Sequence, residues 1–385
     1  TEESNFLFNL NAPQKIKNFT FISGVEAKKR RFLYSIWPFR YVDGGWQKLL
    51  FVSIKVQGQD FSSKRSVESK NSVLSEGDWF KISIPKTGIY KITYDDLQSS
   101  GFNLDDLNPD FLQLYGMPSG MLPLLNSEQR VDGLQELAID LVGMNDGSFD
   151  VSDKILFYGE GPNVWRLDSS TNRFYHQKHL YSDVTNYFLT LGSQHGKRLG
   201  ITELASGSPT HQVNSFDDMQ FFEEDKENLL MSGRNWFGSK MHVSNTNSIS
   251  FSVPNAIGEA FISASFVGRG IAPYSCSFTI QGSGLSQQTF EIPSVNGEYT
   301  SEFAKKVDYE SEFLMSSSNP SFDITFNSNV SSSEGWIDYL SINAKRSLKF
   351  DGGQLVFLDL ESVGESNVSE FSIQDYSSDS RILEV

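Results

Sequence analysis

Along most of the chain apolar and polar residues alternate in short runs, and Gly, Pro, Asn and Ser separate the runs. A period of two bounded by turn formers predicts strands rather than helices. In the first 76 residues the alternating runs fall at 17–22, 31–37 and 48–56, divided by Gly24, Pro38 and Gly44-Gly45, which predicts a small antiparallel β unit over 1–76. The Ser/Lys-rich stretch 62–75 has little to bury and reads as a linker. Next, Trp79, Lys81 and Ser83 alternate with Phe80, Ile82 and Ile84. The alternation resumes over 89–94 after Pro85-Lys86-Thr87-Gly88, so a hairpin is expected to open this part. Tyr94-Asp95-Asp96-Leu97 then places acidic residues at the start of a short helical pattern that Gly101 ends.

Strand patterns follow at 111–115, 136–141, 154–158 and 186–191, giving an α+β domain over 77–205. Its long aromatic and polar connection, 159–185, either packs over the sheet or forms an exposed binding loop. Residues 216–230 are acidic, carry Phe221-Phe222, and suit a helix or an extended arm. The short runs 248–253, 259–267, 275–280, 288–292, 297–303, 322–326 and 336–344 predict a jelly-roll-like β-sandwich over 215–345. Residues 346–385 add a run at 355–360 and read as a β connecting segment towards a missing catalytic domain. The expected fold class is therefore mainly β with some α+β.

Composition narrows the function. Thirty-two basic against 48 acidic residues leave a net charge of −16. That balance argues against nucleic acid as a partner, because phosphate binding needs a basic surface. One cysteine, Cys276, excludes an internal disulfide framework. No apolar run approaches the roughly 18 residues of a transmembrane helix. The start at Thr1-Glu2-Glu3, without Met or signal peptide, is expected of a processed secreted protein or a trimmed one, and 382–385 reads as a strand cut in mid-pattern, so a longer parent protein is expected.

Three clusters carry possible chemistry. Asp146, Asp150 and Asp153, with Gly147 between them, resemble the second half of a calcium loop, although Val142 and Met144 stand where its first ligands belong; the other reading is an Asx-rich turn. No other cofactor is implied. His176 and His179 would share one face of a helix for zinc, but an aromatic strand or loop suits Phe174, Tyr175 and Tyr181 as well, and further ligands are missing. Arg234, Asn235, Trp236 and Phe237 combine aromatic faces with hydrogen-bonding groups, as sugar sites do, or else fill a domain interface. Exposure of that aromatic platform would favour a glycan, and burial against 77–205 a scaffold.

A family resemblance lies in the central third of the chain. Trp79-Phe80-Lys81-Ile82, Gly88-Ile89-Tyr90-Lys91-Ile92, Asp96-Leu97 and Gly101 open it. Arg130, Leu134, Glu136, Asp153-Lys154-Ile155-Leu156-Phe157-Tyr158-Gly159, Gly161-Pro162, Trp165, His179, Tyr181-Ser182-Asp183 and Tyr187-Phe188-Leu189-Thr190 continue it in order, and Trp336-Ile337-Asp338-Tyr339-Leu340 echoes it near the end. Together they resemble the N-terminal region of the type IX secretion system sortase, a gingipain-like cysteine peptidase of Gram-negative outer membranes.

The resemblance implies a protein exported through a signal peptide absent from this chain and held at the bacterial cell surface by an outer-membrane β-barrel partner. It also implies an activity for the parent protein: cleaving the C-terminal signal domain of secreted cargo and joining the cargo to anionic lipopolysaccharide through a catalytic cysteine. No catalytic residue carries over to this chain. Cys276 sits in an alternating strand, the ordinary place of a small buried thiol, and His195-Gly196 matches only a dipeptide. The 385-residue chain is thus expected to be a non-catalytic region that docks, positions or shields, within a cysteine endopeptidase or transpeptidase. The alternative, from the sandwich alone, is a cell-surface carbohydrate-binding protein or adhesin.

Overall fold

The structure is a computed structural model and describes residues 19–26, 29–36, 39–42, 45–48 and 72–384, apart from 105, 106, 126, 204, 232, 365, 378 and 379. The chain divides into two compact units, Thr1–Ser72 and Val73–Val385. In the first, β1 (Phe19–Glu26) pairs antiparallel with β2 (Lys29–Ile36), and β3 (Phe39–Val42) with β4 (Gly45–Lys48). The expected strand beyond residue 48 and the linker up to residue 71 lie outside the described residues.

The second unit begins with β5 (Trp79–Ile84), β6 (Gly88–Thr93), the helix α1 (Tyr94–Ser100), β7 (Leu112–Gly116), β8 (Gln135–Leu137) and β9 (Asp140–Val142). It continues with β10 (Lys154–Gly159), β11 (Val164–Asp168), β12 (Arg173–Gln177) and β13 (Thr185–Leu191). One sheet runs β5-β13-β7-β8 and a second β6-β10-β9. A single core fills the space between them, with Ile84, Leu97, Leu112, Leu114, Ile155, Phe157 and Leu189 buried. Helix α1 starts where the sequence places it. The Thr93 hydroxyl accepts from the Asp96 N–H while the Asp96 carboxylate accepts from the Thr93 N–H, and Gly101 closes the helix at φ +79°.

The expected hairpin is not formed. β5 pairs with β13 and β6 with β10, so the two strands belong to different sheets. Residues 85–87 make a corner, held by the Gly161 N–H donating to Thr87 Oγ1 at 3.0 Å and the Tyr90 hydroxyl donating to the Lys86 carbonyl at 2.6 Å. Gly161 is required there, since an added Cβ would stand 2.8 Å from the Lys86 Cα. Alternation reports which face of a strand is buried but not which strand it pairs with, and Ile84 and Ile92 reach one core from opposite sheets. The expected strand 136–141 divides for the same reason, into β8 in one sheet and β9 in the other.

After β14 (His211–Val213) come β15 (Ser215–Glu223), β16 (Thr246–Ser250), β17 (Ala256–Arg269), β18 (Cys276–Gly282), β19 (Leu285–Ile292), β20 (Lys305–Leu314), β21 (Ser321–Ser328) and β22 (Glu334–Ser347). They form two four-stranded antiparallel sheets, β15-β22-β17-β20 and β16-β21-β18-β19. Numbered one to eight along the chain, the strands stand in the orders 1-8-3-6 and 2-7-4-5, the strand order of a jelly roll. Between the sheets Phe266 stacks on Phe278 at 4.9 Å, and Phe278 meets Phe326 at 5.1 Å.

Residues 216–230, left between helix and extended arm, open as strand β15. Residues 297–303 are not a strand. The sixth strand is β20, whose exposed positions carry Lys306, Asp308, Glu310 and Glu312, charges that mask its pattern on a sheet edge. Nor do 355–360 form a strand; a 3₁₀ turn follows at Leu360–Ser362.

Residues 346–384 fold back over both halves of this unit. β23 (Ser369–Phe371) pairs parallel with β14, and Lys345 Nζ bridges Asp217 at 3.0 Å and Asp359 at 2.8 Å. The Gln354 side chain accepts from the Ile89 N–H at 2.8 Å and donates to the Ile89 carbonyl at 2.6 Å.

Candidate functional site

The connection between β10 and β13 forms the β11–β12 hairpin, and this hairpin crosses the outer face of the β15-β22-β17-β20 sheet. Its bonds reach all four strands. The Asn343 amide on β22 holds Phe174 at both backbone groups, accepting from its N–H at 2.8 Å and donating to its carbonyl at 2.9 Å. Arg173 pairs with Glu312 on β20 at 2.7 Å and lies 3.7 Å over the Phe261 ring on β17. His176 bonds Glu223 on β15, and Lys178 bonds Asp225 just beyond it at 2.6 Å. The His176 ring stacks on Phe221 at 4.4 Å, with Tyr339 at 5.3 Å and Trp165 at 5.8 Å around it. Thus 159–185 packs over a sheet, and the sheet is that of the jelly roll.

Beside this seam lies a cleft of about 440 Å³. The hairpin supplies one wall, with Tyr175, His176 and Lys178, and the sheet supplies the floor, with Phe261, Ser263, Glu310 and Tyr339. The third wall is the loop between β15 and β16. Its base is closed by reciprocal backbone bonds between Glu227 and Phe237 at 3.0 and 2.9 Å. Glu227 is itself anchored, since its carboxylate accepts from the Trp336 indole N–H at 2.9 Å and from the Lys240 N–H at 3.1 Å. Arg234, Asn235, Trp236 and Phe237 therefore stand together on the rim. Trp236 is 37% exposed. What sequence reasoning missed is the hairpin wall: Tyr175, Lys178 and Leu180 enter the site from a part of the chain whose partner sheet no local pattern reveals.

The histidine pair is separated in role. His176 lies on β12 with its side chain 6% exposed. His179, past the strand end, uses Nδ1 to accept from the Tyr181 and Ser182 N–H groups at 3.2 and 3.0 Å. The three aspartates form a turn. Asp146 accepts from the Ser148 N–H and hydroxyl, both at 3.0 Å, and these bonds hold its carboxyl below the usual carboxylate range. Asp150 accepts from the same hydroxyl, also at 3.0 Å. Asp153 is buried and accepts from the Asp150 N–H at 2.7 Å. Among the described residues no group of three or more His, Cys, Asp or Glu side chains gathers as a metal site.

Cys276 is 2% exposed between the sandwich sheets, and burial pushes its thiol up to about 11, the direction opposite to that of a reactive thiolate. His195 stands on the surface of the other domain, beside Asp110 at 4.0 Å and against the Phe111 ring. Its neighbour Gly196 has a backbone reason to be glycine. The Gly196 N–H donates to the Asp110 carbonyl at 3.0 Å, and an added Cβ would overlap the Leu112 carbonyl oxygen.

Comparison with solved structures gives a match over most of the chain. Dimeric latent PorU from Porphyromonas gingivalis superposes with a TM-score of 0.63 at 18% identity, over 80% of this chain. The chain shares its fold with part of PorU. It matches 28% of PorU's own length. Two Bacillus thuringiensis toxins, Cry4Aa and Cry8Ea1, overlap at TM-scores of 0.21 and 0.23 with 11% identity, covering 68% and 60% of this chain and 58% and 41% of theirs, which is too little to argue from. No protein-family model matches the chain, and no curated protein sequence matches it.

Proposed function

We propose that this chain is the non-catalytic N-terminal region of a cell-surface type IX secretion system sortase, and that it docks, positions or shields the peptidase and its cargo. The observation that carries this reading is where the family-like residues fall. Ile92, Leu97, Ile155, Phe157, Tyr187 and Leu189 converge in the core between the β5-β13-β7-β8 and β6-β10-β9 sheets, within a body that shares the fold of part of PorU. The buried, protonated Cys276 supports a chain that leaves the thiol chemistry to another domain. In this reading the parent protein cleaves the C-terminal signal of secreted cargo, attaches the cargo to anionic lipopolysaccharide, and is held at the outer membrane by a β-barrel partner.

Two measurements test it. The gene is expected to continue past the codon for Val385 into an α/β domain with a His-Gly pair and a later Cys. In cells, in-frame deletion of the codons for 77–200 is expected to leave cargo with its C-terminal signal domain attached, visible as a larger band on an immunoblot. A stop codon directly after Val385, or normal cargo processing in the deletion strain, would overturn the assignment.

A further inference from the structure

Within the cleft the side chains that can hydrogen-bond or stack divide into two sets. Arg173, Lys178, Lys306 and His176 are occupied by Glu312, Asp225, Asp338 and Glu223. A second set faces the same space with no partner. The side chains of Arg234, Asn235, Trp236, Tyr175 and Glu310 make no hydrogen bond, ion pair or ring contact among the described residues. Trp236 and Tyr175, 37% and 53% exposed, rise from different walls, the β15–β16 loop and the hairpin. A pair of unstacked aromatic rings with a free guanidinium, a free amide and a free carboxylate is the equipment that holds a pyranose: apolar ring faces against aromatic rings, and adjacent hydroxyls bridged by groups that donate on one side and accept on the other. The volume of about 440 Å³ falls within the usual range for small-molecule sites, about 300–1,000 Å³.

Charge selects among sugars. Of the ions with no opposite charge beside them, Arg234 is balanced by Glu310, the Asp168 carboxylate, held by the Ser170 and Thr171 hydroxyls, adds a further negative charge, and the chain as a whole carries −16. A polyanionic glycan would meet repulsion with no surplus of cations to offset it. We infer that the cleft between the β11–β12 hairpin and the jelly-roll sheet is a binding site for a short neutral oligosaccharide, with Trp236 and Tyr175 as its stacking platforms and Arg234, Asn235 and Glu310 as readers of its hydroxyls. The site needs both halves of the second unit. It stands on the cleft alone, so it and the sortase assignment can fail separately.

The test uses the purified 385-residue chain and a panel of neutral trisaccharides, maltotriose, cellotriose, mannotriose and triacetylchitotriose, beside the charged trigalacturonate, by saturation-transfer NMR and titration calorimetry. At least one neutral trisaccharide is expected to bind, with an affinity that added salt leaves unchanged. Trp236→Ala and Tyr175→Ala should each weaken it about tenfold, and Arg234→Gln, which removes the cation without touching packing, should do the same. Circular dichroism and thermal midpoints identify any variant that has lost its fold. Binding of no neutral trisaccharide, binding of trigalacturonate alone, or binding that folded Trp236 and Arg234 variants leave unaltered would overturn the inference.

Discussion

Cys276 packs where Gly268 on the neighbouring sheet leaves room, since a Cβ at 268 would stand 2.7 Å from the sulfur. Its raised pKa fixes the sign of a pH effect. The unfolded thiol ionises near 9 and the folded one near 11, so the native state holds its proton longer and this contribution to stability is lost as pH climbs from about 9 to about 11. Urea midpoints of the wild-type chain should therefore fall more steeply over that interval than those of Cys276→Ala, and iodoacetamide at pH 8 should label the thiol only after denaturation. Phe266 offers a check on packing. It is fully buried between Phe278 and Phe290, and Phe266→Ala is expected to cost about 3–5 kcal/mol in denaturant unfolding. At this scale the sequence was informative, because an alternating strand already assigns Cys276 and the phenylalanines to the interior. It offered Arg234 as a candidate beside Trp236 but was silent on Glu310, and neither residue's lack of a partner could be read from it, because partners are set by folding rather than by neighbours in sequence.

Most of the strands are legible from their period of two, and helix α1 from its acidic start and terminal glycine. Strand pairing is not. β5 and β6 separate into two sheets, and β20 hides behind Lys306, Asp308, Glu310 and Glu312. The hairpin β11–β12 was open between packing and exposure, because Trp165, Phe174 and Tyr175 are consistent with either; the outcome is decided by the Asn343 amide and by the Phe221, Glu223 and Tyr339 side chains of the sheet below. Asn343→Ala removes both bonds to Phe174, a loss of about 1–3 kcal/mol. Hydrogen exchange should then accelerate across 164–177 while the sandwich core β17–β22 stays protected. Unchanged exchange in the hairpin would mean that the His176 and Arg173 contacts hold it without the amide.

Across the whole molecule, the first unit and the second are separately compact, and the second is itself two cores joined by the hairpin seam and by the returning segment 346–384. Residues 73–385 produced alone are expected to unfold at the same urea concentration as the full chain, and a lower midpoint would show that the second unit depends on the first. The bond between Gln354 and Ile89 has a further meaning. β6 is the outer strand of its sheet, and the Gln354 amide occupies the Ile89 N–H and C=O, one pair of the groups that this edge would otherwise offer to another strand. The plug arrives from 265 positions further along. A chain emerging from the ribosome therefore exposes a bare strand edge for the time it takes to make the whole jelly roll. Gln354 can guard Ile89 only once it has arrived, so what it protects is the finished fold, and Gln354→Ala should aggregate at concentrations where the parent chain stays clear.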